Sequence, residues 1–457
     1  MSEVVVVGAG YVGLVTGASL AMVGHRVTCV DKDEERVAGL KGGRMPVYEP
    51  GLEDLVARGT AAGRLSFSED LDAPVGRADV VFIAVGTPQG ADGAADLTNV
   101  SDVARGIGRA LAAARRERPL VVANKSTVPV GSGDHVSMLV REGAEEAGRS
   151  GEVPFGVASN PEFLREGSAV YDSLFPDRIV VGAEEAWVVG VMRDLYGPII
   201  EQGFPVEMDP RPRVTVPFVV TDLASAEMIK YAANAFLAAK VSFINEVSDL
   251  CELTGADVGS VATGIGLDGR IGPRFLNAGI GWGGSCLPKD VAALRSIARE
   301  YHHETPFLDA AAVVNDGRRD LVVSKLQRDL LTLKGKRVAL LGLAFKPNTD
   351  DLREAPSLTI ADELRALGAR VVGYDPVAVK AAARLSPDLK AVFDPYEALE
   401  GAHAAVVVTE WEEVRDLDLR RAASLMREPK LLVDGRNAVD PAAARDAGLL
   451  YRGFGRG

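Results

Sequence analysis

The chain opens on a continuous β-branched run, Val4-Val-Val-Val7, with no polar alternation. Such a run predicts a parallel strand buried on both faces. The pattern recurs at Arg26–Val30, Val80–Val85, Leu120–Asn124, Phe155–Ser159 and Ile179–Val181, with a helical stretch over Leu14–Val23 between the first two. Short apolar strands alternating with helical segments predict a doubly wound α/β unit. From Leu223 to Leu253 the period changes: apolar residues fall at helical spacing with neither Gly nor Pro, which predicts one long helix suited to spanning domains or forming a dimer. After a helix expected over Ser324–Leu333 the strand pattern restarts at Arg337–Leu341, continues as helix over Leu358–Leu367, and returns as strands at Arg370–Tyr374, Ala404–Thr409 and Leu431–Asp434. A chain of 457 residues exceeds a single core, and the pattern divides it into three: 1–205, 206–315 and 316–457.

Composition narrows the class. Apolar residues make up 47% and charged residues 25%, as in an ordinary globular protein. The net charge of −13 opposes any general affinity for nucleic acid or anionic membrane, so an anionic substrate would need local bases. Three cysteines, Cys29, Cys251 and Cys286, form an odd, sparse set without metal-ligand spacing. Neither a disulfide framework nor a metal site is expected, and a reducing cytoplasm fits. The apolar start, with no basic region before it, is too short for a signal peptide or a membrane span.

Candidate chemistry begins where the first strand ends, at Gly8-Ala-Gly10-Tyr11-Val12-Gly13. Glycines at this spacing serve a tight turn, close approach of a pyrophosphate and helix packing. Asp31 closes the second strand, at the distance where a carboxylate holds ribose hydroxyls and repels a 2′-phosphate, which favours NAD over NADP. Glu34, Glu35 and Arg36 read as a solvated face, although Arg36 would also suit an approach to the adenosine. Thr87 and Thr127 end later strands, where ligands sit in parallel sheets, although either hydroxyl would also suit a helix cap. Asn160–Gly167 places Glu162 and Glu166 four apart, on one face if the segment is helical, where mutual repulsion would raise one toward a general base. The plainer alternative pairs Glu162 with Arg165. On the long helix Glu227, Lys230 and Asn234 share a face, readable as a solvated salt bridge or as a buried oxyanion-stabilising set.

The most suggestive stretch is Gly281-Trp-Gly-Gly-Ser-Cys286-Leu-Pro-Lys289-Asp290. Its glycines would let backbone approach a ligand, and Cys286 would be a nucleophile, activated by Lys289 or by a helix N-terminus. Arg270 and Arg274 precede it as anion binders. In the last third Gly342 has no Gly-x-x-Gly continuation, so this unit should bind something other than the cofactor. Lys346, Arg353 and Arg436 fall in loops after strands and would converge on a phosphate-bearing ligand; for Arg353 the acidic neighbours Asp350, Asp351 and Glu354 suggest a solvated base instead.

Taken in order, Gly8–Gly13, Lys125–Gly131, Asn160–Gly167, Glu227–Glu246, Gly281–Asp290 and Gly342–Arg353 resemble the nucleotide-sugar dehydrogenases, the UDP-glucose/GDP-mannose dehydrogenase family, over nearly the whole chain. The resemblance implies an α/β fold of two Rossmann-like doubly wound domains joined by a long central helix, NAD as cofactor, a UDP-sugar substrate and a homodimer. It implies a four-electron oxidation of an alcohol to an acid through a thiohemiacetal and a thioester on Cys286. Lys230 and Asn234 would stabilise the oxyanion; Thr127, Glu166 and Asp290 would hold the hydrolytic water, with Glu162 near the reacting carbon. Lys289 and Arg353 join Gly8, Gly10, Tyr11, Val12, Gly13, Asp31, Arg36, Thr87, Thr127 and Glu166 on the cofactor side. Phe163, Leu164, Phe275, Gly283, Lys346 and Arg436 surround the sugar nucleotide with Glu162, Lys230 and Asn234, and Arg270 reaches a neighbouring subunit. Asn160–Gly167 and Asp177-Arg-Ile179 resemble members acting on UDP-glucose, with GDP-mannose and UDP-N-acetylmannosamine as alternatives. The contrasting class is a nucleotide-sugar sensor without catalysis.

Overall fold

The valine runs form strands, and alternate residues enter opposite cores. Val4, Val6, Val121 and Ala123 join one buried cluster, while Val5, Val7, Leu120 and Val122 join another. Both faces of the sheet are thereby covered, which is why these strands carry no polar alternation. The computed structural model describes residues 1–114, 116, 118–149, 153–205 and 215–456. It divides into two units, Met1–Ala232 and Ala233–Gly457, with the division inside the long helix Leu223–Thr254. The boundary expected after residue 205 abuts positions outside the described residues.

The first unit holds β1 (Glu3–Val7), β2 (Arg26–Val30), β3 (Leu65–Ser68), β4 (Val80–Ile83), β5 (Leu120–Asn124), β6 (Phe155–Ser159), β7 (Ile179–Gly182) and β8 (Phe218–Thr221). Their order is β3-β2-β1-β4-β5-β6-β7-β8, parallel except where β7 runs against β6. The order reverses between β1 and β4, which makes the carboxyl ends of these strands the switch point where ligands bind in doubly wound sheets. The second unit holds β9 (Arg337–Leu341), β10 (Arg370–Tyr374), β11 (Lys390–Val392), β12 (Ala404–Val407), β13 (Leu431–Asp434) and β14 (Leu450–Arg452), in the order β11-β10-β9-β12-β13-β14 and all parallel. Its succession repeats that of the first six strands of the other sheet.

One expected helix is much longer than its pattern suggested, and one conditional helical turn does not form. The helix expected over Ser324–Leu333 is Pro306–Leu330, opened by a proline in its first turn and closed where Leu331 takes φ +64°. The Asn160–Gly167 segment forms no helix, so Glu162 and Glu166 do not share a helical face. Among the described residues no helix is long and apolar enough to cross a membrane.

Candidate active site

In the first unit the three glycines after β1 have three different reasons. Gly8 takes φ +103°, and a Cβ there would stand 2.6 Å from the Ala84 carbonyl oxygen. At Gly13 a Cβ would stand 1.8 Å from the Gly8 oxygen. Around Gly10 nothing lies within 4 Å of that position. One glycine makes the turn, one packs the helix Tyr11–Met22, and the middle one faces the open space that a pyrophosphate needs. The helix has no side-chain cap, so its leading N–H groups suit an anion. Asp31 is buried beside this loop: one carboxylate oxygen accepts from the Ala9 amide at 2.8 Å and from Arg36 at 2.9 Å, the other from the Asp33 amide at 3.0 Å. Arg36, expected near an adenosine, therefore lies against the carboxylate expected to hold the ribose. These residues fit NAD.

Neither threonine caps a helix. The Thr87 hydroxyl donates to the Thr127 carbonyl at 2.8 Å, tying together the ends of β4 and β5, while the next helices begin at Thr98 and Ser132.

The alternative pairings read from sequence are replaced. Glu162 does not pair with Arg165, which binds Asp172 at 2.6 Å. Glu162 pairs with Lys230 at 2.9 Å, with side chains 8% and 5% exposed. Its other oxygen accepts from the Leu164 amide at 2.8 Å. The Glu227–Lys230 salt bridge is likewise absent as such: the buried Glu227 carboxylate accepts from the Gly131 and Gly133 amides at 2.7 and 2.8 Å, at the start of the helix Ser132–Glu146. Burial pushes this carboxyl up to about 7 in spite of those bonds. Phe163 lies between two cations, with the Arg178 guanidinium 3.8 Å and the Lys230 ammonium 5.4 Å from its ring centre. Glu166 is half-buried.

Sequence reasoning passed over Lys125. This lysine, at the end of β5, donates to the Asn160 side chain at 3.1 Å, and burial lowers its pKa to about 8. A lone base ending a valine-rich strand was the available signal. Glu49, which meets the Tyr11 hydroxyl, had none, because it lies in an irregular stretch between two helices.

In the second unit Cys286 is exposed at the N-cap of the helix Leu287–Glu300, and none of the three cysteines forms a disulfide. A helix N-terminus favours a thiolate. Asp290, one turn on, is 1% exposed; its carboxylate takes the Lys289 ammonium at 2.6 Å and the Asn234 amide at 2.5 Å. Lys289, read as a cofactor residue, and Asn234, read as an oxyanion donor, are both turned onto Asp290. Cys29, by contrast, is buried, which pushes its thiol up to about 12.

The glycines of the cysteine loop admit protein. A Cβ on Gly279 would stand 2.3 Å from the Gly435 oxygen, on Gly281 2.4 Å from the Asn315 side chain, on Gly283 2.2 Å from the Glu354 oxygen, and on Gly284 2.5 Å from the Phe345 ring. The loop is thus pressed against the segments that follow β9 and β13. Arg436 completes the join by donating to the carbonyls of Val408 at 2.8 Å, Gly281 at 3.0 Å and Phe345 at 3.3 Å. Arg353 forks onto Asp351, at 2.7 Å for the closest contact, and Arg270 onto Asp268 at 2.6 Å, its side chain 89% exposed. Of the three bases expected to converge on an anion, Arg353 and Arg436 thus hold protein partners, and the Lys346 ammonium lies 5.2 Å from the Phe345 ring centre. Phe275 takes φ +64°.

The second sheet repeats the device of the first, closed off. Gly342 takes φ +95°, and Asp375 accepts from the Leu343 and Ala344 amides at 2.8 and 2.9 Å. Asp375 also holds the Val377 and Ala378 amides and the Trp411 indole and has no exposed surface, so no ribose reaches it.

Three family models cover the chain in order: the NAD-binding domain of the UDP-glucose/GDP-mannose dehydrogenase family over residues 2–200, its central domain over 224–317 and its UDP-binding domain over 339–441. The chain is 46% identical to a UDP-glucose 6-dehydrogenase of Rhizobium meliloti, covering 99% of each. It is 44% identical to the Bacillus subtilis UDP-glucose 6-dehydrogenase YwqF, covering 99% of this chain and 98% of that one. A solved UDP-glucose dehydrogenase from Pyrobaculum islandicum superposes with a TM-score of 0.88 at 40% identity, covering 100% of this chain and 98% of its own. A glycine turn built for a pyrophosphate, a cysteine poised at a helix start and these full-length likenesses agree, and the chain belongs to the UDP-glucose/GDP-mannose dehydrogenase family of oxidoreductases.

Proposed function

We propose that the chain oxidises UDP-glucose to UDP-glucuronate with two equivalents of NAD, through a covalent intermediate on Cys286. The observation that carries this reading is the start of the helix Leu287–Glu300, where an exposed thiol sits at the N-cap and a buried, doubly held carboxylate follows one turn later. The names of the similar proteins support UDP-glucose as the sugar nucleotide.

Gly8, Gly10, Gly13, Tyr11 and Val12 would cradle the pyrophosphate, with Asp31 and Arg36 at the ribose and adenine side. Bound NAD supplies a hydride acceptor for each oxidation. In the first, the carbinol carbon loses a hydride and its hydroxyl a proton, while Lys230 and Asn234 stabilise the charge growing on oxygen. The Cys286 thiolate adds to the aldehyde carbon, giving a thiohemiacetal. Loss of a second hydride and of the hydroxyl proton leaves a thioester. Water directed by Thr127, Glu166 and Asp290 adds to the thioester carbonyl, the carbon–sulfur bond breaks, a proton returns to sulfur, and the acid leaves. A thiol chemistry of this kind needs a reducing compartment, which suits the cytoplasm.

We also propose that the protein works as a homodimer through the long helix, which exposes Phe236, Phe243 and Leu250 at seven-residue steps on one face, 62%, 56% and 56% exposed. Light scattering tests it, with Phe243→Glu expected to yield monomers.

The enzymatic reading is tested by following NADH formation from UDP-glucose. Two NADH per sugar are expected, and a yield of one would refute the two-step scheme. Parallel assays with GDP-mannose and UDP-N-acetylmannosamine identify the sugar. Tight binding of UDP-glucose with no NADH would favour a sensor.

A further inference from the structure

We propose that Glu49 is a positioning residue for thioester hydrolysis, holding the Asn160–Gly167 loop from its far end; this rests on the covalent scheme above. The loop is neither helix nor strand, so the placing of Glu162 and Glu166 depends on how its ends are fixed. Its head is Asn160, 1% exposed, which donates to the Val180 carbonyl at 2.7 Å and accepts from Lys125 at 3.1 Å and from the Tyr196 hydroxyl at 2.7 Å. Its tail is Gly167, at φ +81°. There the Glu49 carboxylate, 6% exposed, accepts from the Gly167 amide at 2.6 Å through one oxygen and from the Ala169 amide at 2.7 Å through the other. The Tyr11 hydroxyl donates to the oxygen shared with Gly167. Burial and the neighbouring carboxylate raise the Tyr11 pKa, so this hydroxyl stays a donor.

Glu49 therefore ties the first residue of the phosphate-side helix to the residue directly after Glu166. An acceptor with two oxygens is required. A glutamine would turn an NH2 group toward one of the two amides and lose that bond. Releasing the tail would leave the sulfur chemistry in place and displace Glu166, and a misplacement of about 1 Å is worth roughly a hundredfold in rate.

The test is stopped-flow NADH formation by the full chain with saturating UDP-glucose and NAD. For Glu49→Gln we expect a burst approaching two NADH per site, a steady rate reduced about a hundredfold, an NAD kcat/KM within about twofold of the parent, and a UDP-sugar adduct accumulating on Cys286 by mass spectrometry. A steady rate equal to the parent's would overturn the proposal, as would a burst and steady rate falling in the same proportion. If Glu49→Gln does not fold, Glu49→Asp, which keeps the charge and shortens the reach, is read by the same criteria. Should the parent itself yield fewer than two NADH per sugar, the covalent scheme fails instead.

Discussion

Replacing Lys230 by methionine keeps most of the side chain's bulk and removes its charge, and the loss falls on Glu162. The two groups lie 2.9 Å apart with little exposed surface. At an effective dielectric near 20 their attraction at that distance is about 6 kcal/mol. Desolvating each ion opposes it by several kcal/mol, so the intact pair adds little net stability. Removing one partner is different, because the other charge stays buried alone, at a cost of about 3–5 kcal/mol. Glu162→Gln should be as severe: it strands Lys230 near Lys125, whose pKa is lowered first by burial and further by Lys230, with Glu162 opposing. The double variant buries neither charge and should regain at least ~2 kcal/mol of the summed losses. Amide exchange by mass spectrometry on peptides covering β5 and β6 reads this locally, each single variant exchanging about a hundred- to a few-thousandfold faster. Single losses below about 1 kcal/mol, as for a solvated pair, would refute the reasoning, as would additivity within about 0.5 kcal/mol.

Iodoacetamide near neutral pH should label Cys286, which is exposed, ahead of the buried Cys29 and Cys251, and should abolish turnover; peptide mapping that finds Cys29 modified first would contradict the geometry. Gly283→Ala sets a methyl against the Glu354 carbonyl and should destabilise by about 1–3 kcal/mol in thermal unfolding, whereas an unchanged midpoint would mean the loop has slack. Glu227 carries a pKa raised from 4.5 to about 7, so its favourable contribution is full below pH 4.5 and is lost as pH rises through 7. The stability difference between the parent and Glu227→Gln should therefore shrink across that window, and a difference that grows would reverse the assignment.

Much of the frame was legible because two-sided burial writes itself into the chain as unbroken apolar runs. Strands Arg26–Val30, Leu120–Asn124, Phe155–Ser159, Arg337–Leu341, Arg370–Tyr374 and Leu431–Asp434 match the expected bounds, and the long helix ends one residue past its expected end. The strands passed over all lie at sheet edges: Leu65–Ser68, which alternates with serine, and Phe218–Thr221 in the first sheet, and Lys390–Val392 and Leu450–Arg452, of three residues each, in the second. Pairings were the less legible part, since a salt bridge between Glu162 and Lys230 joins positions 68 apart while spacing rules see only a few residues. For the same reason local spacing offered Arg165 to Glu162 and Lys230 to Glu227 as the plainer alternatives, neighbours in sequence, whereas the carboxylates meet Lys230 and the Gly131 and Gly133 amides. The loop at Cys286 was legible by its composition, but the protein segments that its glycines admit were not, because a missing Cβ leaves no record of what fills its place.

That packing bears on how such an enzyme can diversify. Positions 279, 281, 283 and 284 are closed to any side chain by neighbouring atoms, so drift there is forbidden irrespective of which sugar is bound. A change of substrate preference has to be written at positions that carry side chains, such as the half-buried Ser285 and Leu287 that flank the cysteine, of which Leu287 also packs against the cluster of Ala235, Ala238, Trp282 and Val291. A library randomising those two, with the four glycines left alone, would explore new specificities while sparing the scaffold that aims the thiol.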